Sequence, residues 1–100
     1  MRLATGSVIR THVDSGLDPT SGMARIHIPI VSNAGVEFLL NGSPVAMAPG
    51  SAWYLRLSDP HSAANRGDGD RVHLVVDCWT NDWLMAMLRA ASLDAGLISA

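Results

Sequence analysis

Apolar and polar positions alternate with a period of two through most of the chain, and the period lengthens to that of a helix near the C-terminal end. Residues 24–31 (ARIHIPIV) alternate most strictly, with Ile26, Ile28 and Ile30 on one side and Arg25, His27 and Pro29 on the other. That spacing predicts a half-buried strand. Pro29 has no N–H to give to a ladder, which predicts an interruption or an edge position there. Residues 7–14 (SVIRTHVD) alternate more weakly but are β-branched enough for a strand. Residues 36–40 and 43–48 flank Asn41-Gly42, and both residues of such a pair accept the positive φ of a tight hairpin turn. Residues 51–57 (SAWYLRL) and 71–77 (RVHLVVD) read as further strands, the second as the last of the set. Between them Asp59-Pro60 breaks the pattern and leaves His61 just beyond a strand, and residues 66–70 (RGDGD) form a polar turn. Residues 15–22 (SGLDPTSG) read as a loop for the same reason.

After Trp79 the apolar positions recur at helical spacing. Thr80 or Asn81 serves as the N-cap of a helix over about residues 81–95, and Gly96 ends it. Trp83, Met87 and Ala90, with Leu84 and Leu88 beside them, make a stripe that packs on a sheet. Trp79 and Trp83 are expected between helix and sheet, and Trp53 in the core or a cavity wall. Short strands punctuated by turn signals, with one terminal helix, predict an all-β sandwich or barrel plus a C-terminal α-helix. A jelly roll is the member of that class that gathers residues from distant strands into one cavity.

Composition narrows the class. One hundred residues are expected to form a single domain over 1–100, and 48% apolar with 16% charged residues describes a globular chain. A net charge of −2 lacks a basic footprint, which argues against nucleic acid or an anionic membrane surface as partner. No apolar run reaches the ~20 residues of a membrane span, and residues 1–14 lack the apolar core of a secretory leader. Cys78 is the only cysteine, so neither an internal disulfide nor a thiolate metal cluster forms. It is expected to be a buried, inert thiol. A lone thiol suits a reducing cytoplasm.

The candidate chemistry lies in four residues. His12-Val13-Asp14 places a histidine and a carboxylate on one face of a strand, and His61 is a distant second histidine. Two histidines and one carboxylate on one side of Fe(II) leave positions open for oxygen and a cosubstrate. Arg71 opens the last predicted strand facing inward, where a guanidinium fork grips a carboxylate bidentately and stays charged at any working pH. It therefore fits the far end of a dicarboxylic cosubstrate. An ion pair with Asp68 or Asp70 at the surface is its alternative role. His27 and Arg25 share the inward face of their strand and are candidates for contacting the cosubstrate or positioning the ligands. His73 lies on the same face as Arg71 and leans towards a structural role.

RIHIPIVSN followed by NG, then G-x-x-W, HSAAN and RVHLVVDCW resembles the aspartyl/asparaginyl β-hydroxylase and proline hydroxylase family over about residues 3–83. These are Fe(II)- and 2-oxoglutarate-dependent dioxygenases on a double-stranded β-helix. The resemblance implies that His12, Asp14 and His61 are the iron ligands and that Arg71 binds the 5-carboxylate of 2-oxoglutarate. Some aspartyl/asparaginyl members lack the metal carboxylate, and Asp14 places the chain with those that keep it. The implied reaction couples O2 and oxidative decarboxylation of 2-oxoglutarate to hydroxylation of an amino acid, a peptidyl Asp, Asn or Pro, or a related small molecule. Members usually carry a longer section before the His-x-Asp strand. A shortened N-terminal side is thus expected, its remaining sheet edge covered by a partner or by a second copy of the chain. A non-catalytic jelly-roll binding module, or another cupin-type metalloenzyme using Zn, Mn or Ni, are the alternatives.

Overall fold

The structure, a computed structural model, describes residues 1–17, 22–93 and 96–98. Its elements in chain order are β1 (Arg2–Leu3), β2 (Val8–His12), β3 (Met23–Val31), β4 (Val36–Leu40), β5 (Ser43–Pro44), β6 (Ala52–Tyr54), β7 (His61–Asn65), β8 (Arg71–Trp79), α1 (Asp82–Leu93) and β9 (Leu97–Ile98). The strands make two antiparallel sheets, ordered β1-β8-β3-β6-β9 and β2-β7-β4-β5. From β2 to β8 the chain changes sheet at every connection except the β4–β5 hairpin. Leu3, Phe38, Leu55, Leu57 and Ala63 form a core drawn from both sheets and the segment after β6, so the sheets pack face to face. Outside the larger sheet, α1 sets Leu84, Leu88 and Ala91 on Ala24, Ile26 and Tyr54.

The two longest strands, β3 and β8, pair along almost their whole length, with Arg25 opposite Asp77, His27 opposite Val75 and Pro29 opposite His73. The half-buried pattern expected of β3 is corrected by the structure: at its centre both faces are buried. Ala24 and Ile26 lie under the helix, while His27 and Pro29 face the space between the sheets. An alternating strand with a polar side normally turns that side to water. Here it turns inward, and the polar residues line a cavity. Pro29 sits in a central strand, not at an edge, and the pairing slips between Pro29 and Val31. The missing N–H is tolerated at that irregularity.

Several strand limits also differ. β7 is an inner strand of the smaller sheet, paired with β2 and β4, although its sequence HSAAN was expected to follow a strand and form none. Serine and alanine carry no strand signal of their own, and pairing on both edges decides the outcome. The strand expected over residues 43–48 stops at Pro44, and that expected over 51–57 stops at Tyr54. Leu55 and Leu57 instead leave the sheet and fill the core at 1% and 2% exposure. The Asn41-Gly42 turn is as expected, with φ of 52° and 77°. β8 runs two residues further than expected and is followed by β9, so it is not the last strand.

Asn65, fully buried, fastens the start of β8 by donating to the carbonyls of Leu3 (3.0 Å) and Gly69 (2.8 Å). Gly35 and Gly67 let the neighbouring turns touch backbone to backbone. A Cβ on Gly35 would overlap the amide of Gly67, and one on Gly67 would overlap the Asn33 side chain.

Asn81 is the helix cap, its Oδ1 accepting from the Leu84 N–H at 2.8 Å. Gly96, with φ of 101°, donates to the Ala91 carbonyl and closes the C-terminal turn. The buried stripe is Leu84, Leu88 and Ala91, rotated from the one expected through Trp83 and Ala90. Trp79 and Trp83 are 77% and 71% exposed and do not fill the helix–sheet seam. Ala24 brings sheet and helix close, and a leucine–alanine stripe fits that spacing where an indole does not. Trp53 packs against the inter-sheet core, as expected, and Cys78 is half-buried beside the helix. Residues 18–21 of the expected 15–22 loop, and 94–95 of the expected helix, lie outside the described residues.

Candidate metal centre

His12 is the last residue of β2 and faces His61, the first of β7, across a register slip that follows Ile9. Asp14 is not on the strand with His12, as the sequence suggested. The strand has ended, and the Asp14 N–H donates to the Leu57 carbonyl at 2.8 Å, which turns the carboxylate back towards both imidazoles. His12 Nε2 lies 3.5 Å from Asp14 Oδ1, and His61 Nε2 lies 3.3 Å from Oδ2. One ligand atom from each of the three residues can be chosen so that all lie within 4.8 Å of one another. Two neighbouring ligands each about 2.1 Å from an octahedral ion are about 3 Å apart. The spacing suits a shared cation.

The tautomers suit it as well. His12 Nδ1 donates to the Arg10 carbonyl (2.8 Å) and His61 Nδ1 to the Asp59 carbonyl (2.9 Å). A carbonyl only accepts, so Nδ1 carries a proton in each ring, and a ring with no second proton turns a bare Nε2 towards the carboxylate. In that form three acceptors converge, which is the donor set a metal cation takes. Backbone anchoring of the far ring nitrogen is also how metal-bound histidines are usually oriented. His61 is buried, whereas His12 and Asp14 keep 41% and 35% of their side chains exposed, which leaves one side of the set open. Phe38 stacks on His61 with ring centroids 6.0 Å apart and walls the inner side. The chain's only phenylalanine, on a predicted strand, is the sequence signal for that wall.

The three residues line a cavity of about 100 Å³ that Arg71, His27 and Arg25 also line. Arg71 is 2% exposed, and its Nε has no hydrogen-bond partner. The surface pairing with Asp70 does not occur, because Asp70 lies 2.6 Å from Arg2 Nε. Among the described residues no carboxylate is ion-paired with Arg71, and burial alone pushes its pKa down. An uncompensated buried cation costs several kcal/mol, about what an anionic ligand would recover.

His27 is buried on β3, and its Nε2 likewise has no partner. Its Nδ1 lies 3.2 Å from Nδ1 of His73, which is also buried. Burial first, and then the Arg71 charge, lowers His27 to about 4 and His73 to about 3. Arg25 reaches the cavity wall but is held by Asp77, with Nε 2.7 Å and Nη2 3.0 Å from the two carboxylate oxygens. That hydrogen-bonded pair raises the Arg25 pKa and lowers that of Asp77. A larger cleft of about 440 Å³ also borders Phe38 and His73, and among the described residues it gathers no cluster of potential metal ligands.

A model of the aspartyl/asparaginyl beta-hydroxylase family matches residues 1–81. The chain belongs to that family. A comparison with curated proteins gives no match. The hydroxylase-family stretch contains both sheets apart from β9, and with them every residue of the cavity, whereas α1 and β9 follow it.

Proposed function

We propose that the chain is an Fe(II)- and 2-oxoglutarate-dependent hydroxylase on a jelly-roll domain spanning residues 1–100. Its substrate is a free amino acid, a peptidyl Asp, Asn or Pro, or a related small molecule. One observation carries the reading: a single cavity brings together a His-Asp-His set spaced to share a cation and a buried arginine that no carboxylate pairs with among the described residues. A dicarboxylate that bridges a metal and a guanidinium fits both halves of that cavity. Strands that cross between two sheets at successive connections support the jelly-roll description.

Bound iron supplies the redox chemistry, in which O2 and 2-oxoglutarate become succinate, CO2 and one hydroxyl inserted into a substrate C–H bond. The protein's share is positioning. His12 and His61 present Nε2 and Asp14 a carboxylate oxygen, and the Arg10 and Asp59 carbonyls hold both rings in the required tautomer. Arg71 takes the far carboxylate with its fork. His27 and Arg25, on the wall between, offer N–H groups to the rest of the cosubstrate. Phe38, Ile9, Leu57 and Ala63 keep that side of the cavity dry.

No helix among the described residues is long and apolar enough to cross a membrane, and Cys78 is a free thiol. A reducing cytoplasm is the compartment that fits. Anaerobic melting with Mn(II), and then with Mn(II) and 2-oxoglutarate, tests binding; aerobic succinate formation with Fe(II), against a His61→Ala control, tests turnover. Stepwise stabilisation and His61-dependent succinate are expected. Absence of both shifts would refute the reading, and binding without succinate would favour the non-catalytic module.

A further inference from the structure

The buried contact between His27 and His73 has a chemical constraint built into it. The two rings meet nearly edge to face, at 82°, with Nδ1 opposite Nδ1 at 3.2 Å. Two neutral imidazoles in that arrangement share one proton, since one nitrogen must donate and the other accept. Both are kept neutral by burial and by the neighbouring Arg71, as their lowered pKa values of about 4 and about 3 reflect. If His27 donates, its Nε2 is a lone pair on the wall of the cavity. If His73 donates, His27 carries its proton on Nε2 and is a donor there. An anion beside Arg71 is repelled by the first arrangement and bound by the second.

We infer that His73 is a positioning residue: it donates Nδ1–H to His27 Nδ1 and so fixes His27 as an Nε2–H donor to the carboxylate of the cosubstrate. The inference rests on the 2-oxoglutarate reading above and adds a residue that does not itself line the cosubstrate cavity. The fold holds His73 firmly for the task. Its N–H donates to the Met1 carbonyl (2.9 Å) and its carbonyl accepts from the Met1 ammonium (2.6 Å). Alternation along β8 then turns its ring inward two residues after Arg71. With Arg71 Nε and His27 Nε2, two of the buried polar atoms without a partner become donors to one ligand. Buried groups left in that state usually mark a missing partner.

The test uses isotope-labelled histidine, with diamagnetic Zn(II) loaded for the nitrogen spectra and Mn(II) for calorimetry. Nitrogen shifts of the imidazoles report the tautomer, and calorimetric titration reports the 2-oxoglutarate Kd. In the wild-type complex His27 is expected to carry its proton on Nε2. His73→Phe should weaken 2-oxoglutarate about tenfold or more, the scale of one charge-assisted hydrogen bond, with the Mn(II) Kd unchanged. His73→Asn, whose amide N–H replaces Nδ1–H, should recover binding to within about threefold. A His27 proton on Nδ1 in the wild-type complex, or a His73→Phe chain that binds 2-oxoglutarate as the wild type does, overturns the inference alone. A wild-type chain that ignores 2-oxoglutarate overturns the hydroxylase reading with it. Should His73→Phe fail to fold, the wild-type tautomer decides.

Discussion

Arg71→Met separates a functional arginine from a structural one by the sign of its effect on stability. Arg71 is 2% exposed, its Nε is unpartnered, and no carboxylate pairs with it among the described residues. A buried polar group left unsatisfied costs about 1–3 kcal/mol, and an uncompensated charge adds to that. Methionine fills much of the same volume without either cost. The metal-free variant is therefore expected to be more stable by about 2 kcal/mol, after an allowance for imperfect packing. For a chain of this length that is a rise in Tm of about 10 °C. The same variant loses the carboxylate fork, and 2-oxoglutarate should bind about thirtyfold more weakly or worse. Melting of the metal-free proteins and calorimetry with Mn(II) present read the two effects separately. A variant that melts several degrees below the wild type (~5 °C or more) and still binds 2-oxoglutarate would show that Arg71 stabilises the fold, and the reasoning would fail.

Other expectations follow from the same contacts. His27 and His73 titrate lower in the folded chain than the ordinary value of 6.5, so between pH 6.5 and about 4 the unfolded chain binds more protons. Their contribution is complete above pH 6.5 and is lost progressively as the pH falls towards 4. Urea midpoints from pH 7 to 4.5 should show that fall, and a His27→Gln/His73→Gln variant should flatten it. Asp14→Asn should abolish stabilisation by Mn(II) and leave the metal-free Tm within about 3 °C, because its side chain is partly exposed and, among the described residues, its only ion-pair partners are the two imidazoles. Gly35→Ala forces a methyl group into the Gly67 backbone and should cost about 1–3 kcal/mol in urea unfolding. Leu88→Ala, at 2% exposure on the sheet-facing side of α1, should cost about 2–5 kcal/mol.

The strands with β-branched alternation were legible because side-chain spacing and local turns carry the information, as in β3 and the Asn41-Gly42 hairpin. HSAAN was not legible. Ala63 and Ala64 are buried at 5% and 4% because β2 and β4 flank them, a fact about partners far away in sequence. The helix face failed for a related reason: periodicity gives an apolar arc wide enough for either stripe, and the small Ala24 beneath selects Leu84, Leu88 and Ala91. His12, Asp14, His61 and Arg71 were legible as residue types suited to one chemistry. The turn of Asp14 on the Leu57 carbonyl was not, since it depends on a segment leaving its sheet. His73 differs again. On β8 alone it is one more inward residue, and only the register that sets it opposite Pro29, beside His27, gives it a partner.

Charge explains why the cavity needs these accessory pairings. On the proposed reading the site holds a divalent ion, Asp14, Arg71 and a doubly negative cosubstrate, and these four sum to zero. Any further charge nearby would disturb the balance in a poorly solvated space. Arg25, the other cation on the wall, is neutralised by its double contact with Asp77. His27 and His73 are held neutral by burial and by Arg71 itself. The balance also couples the two ligands: without the ion, Asp14 repels a dicarboxylate, and without the dicarboxylate, the ion and Arg71 leave the cavity positive. Metal and 2-oxoglutarate should therefore each tighten the other's binding by the same factor, as linkage requires. Calorimetry with each ligand added first measures that factor. A value near one would mean that metal and arginine act as separate sites, and the single-cavity account would not survive it.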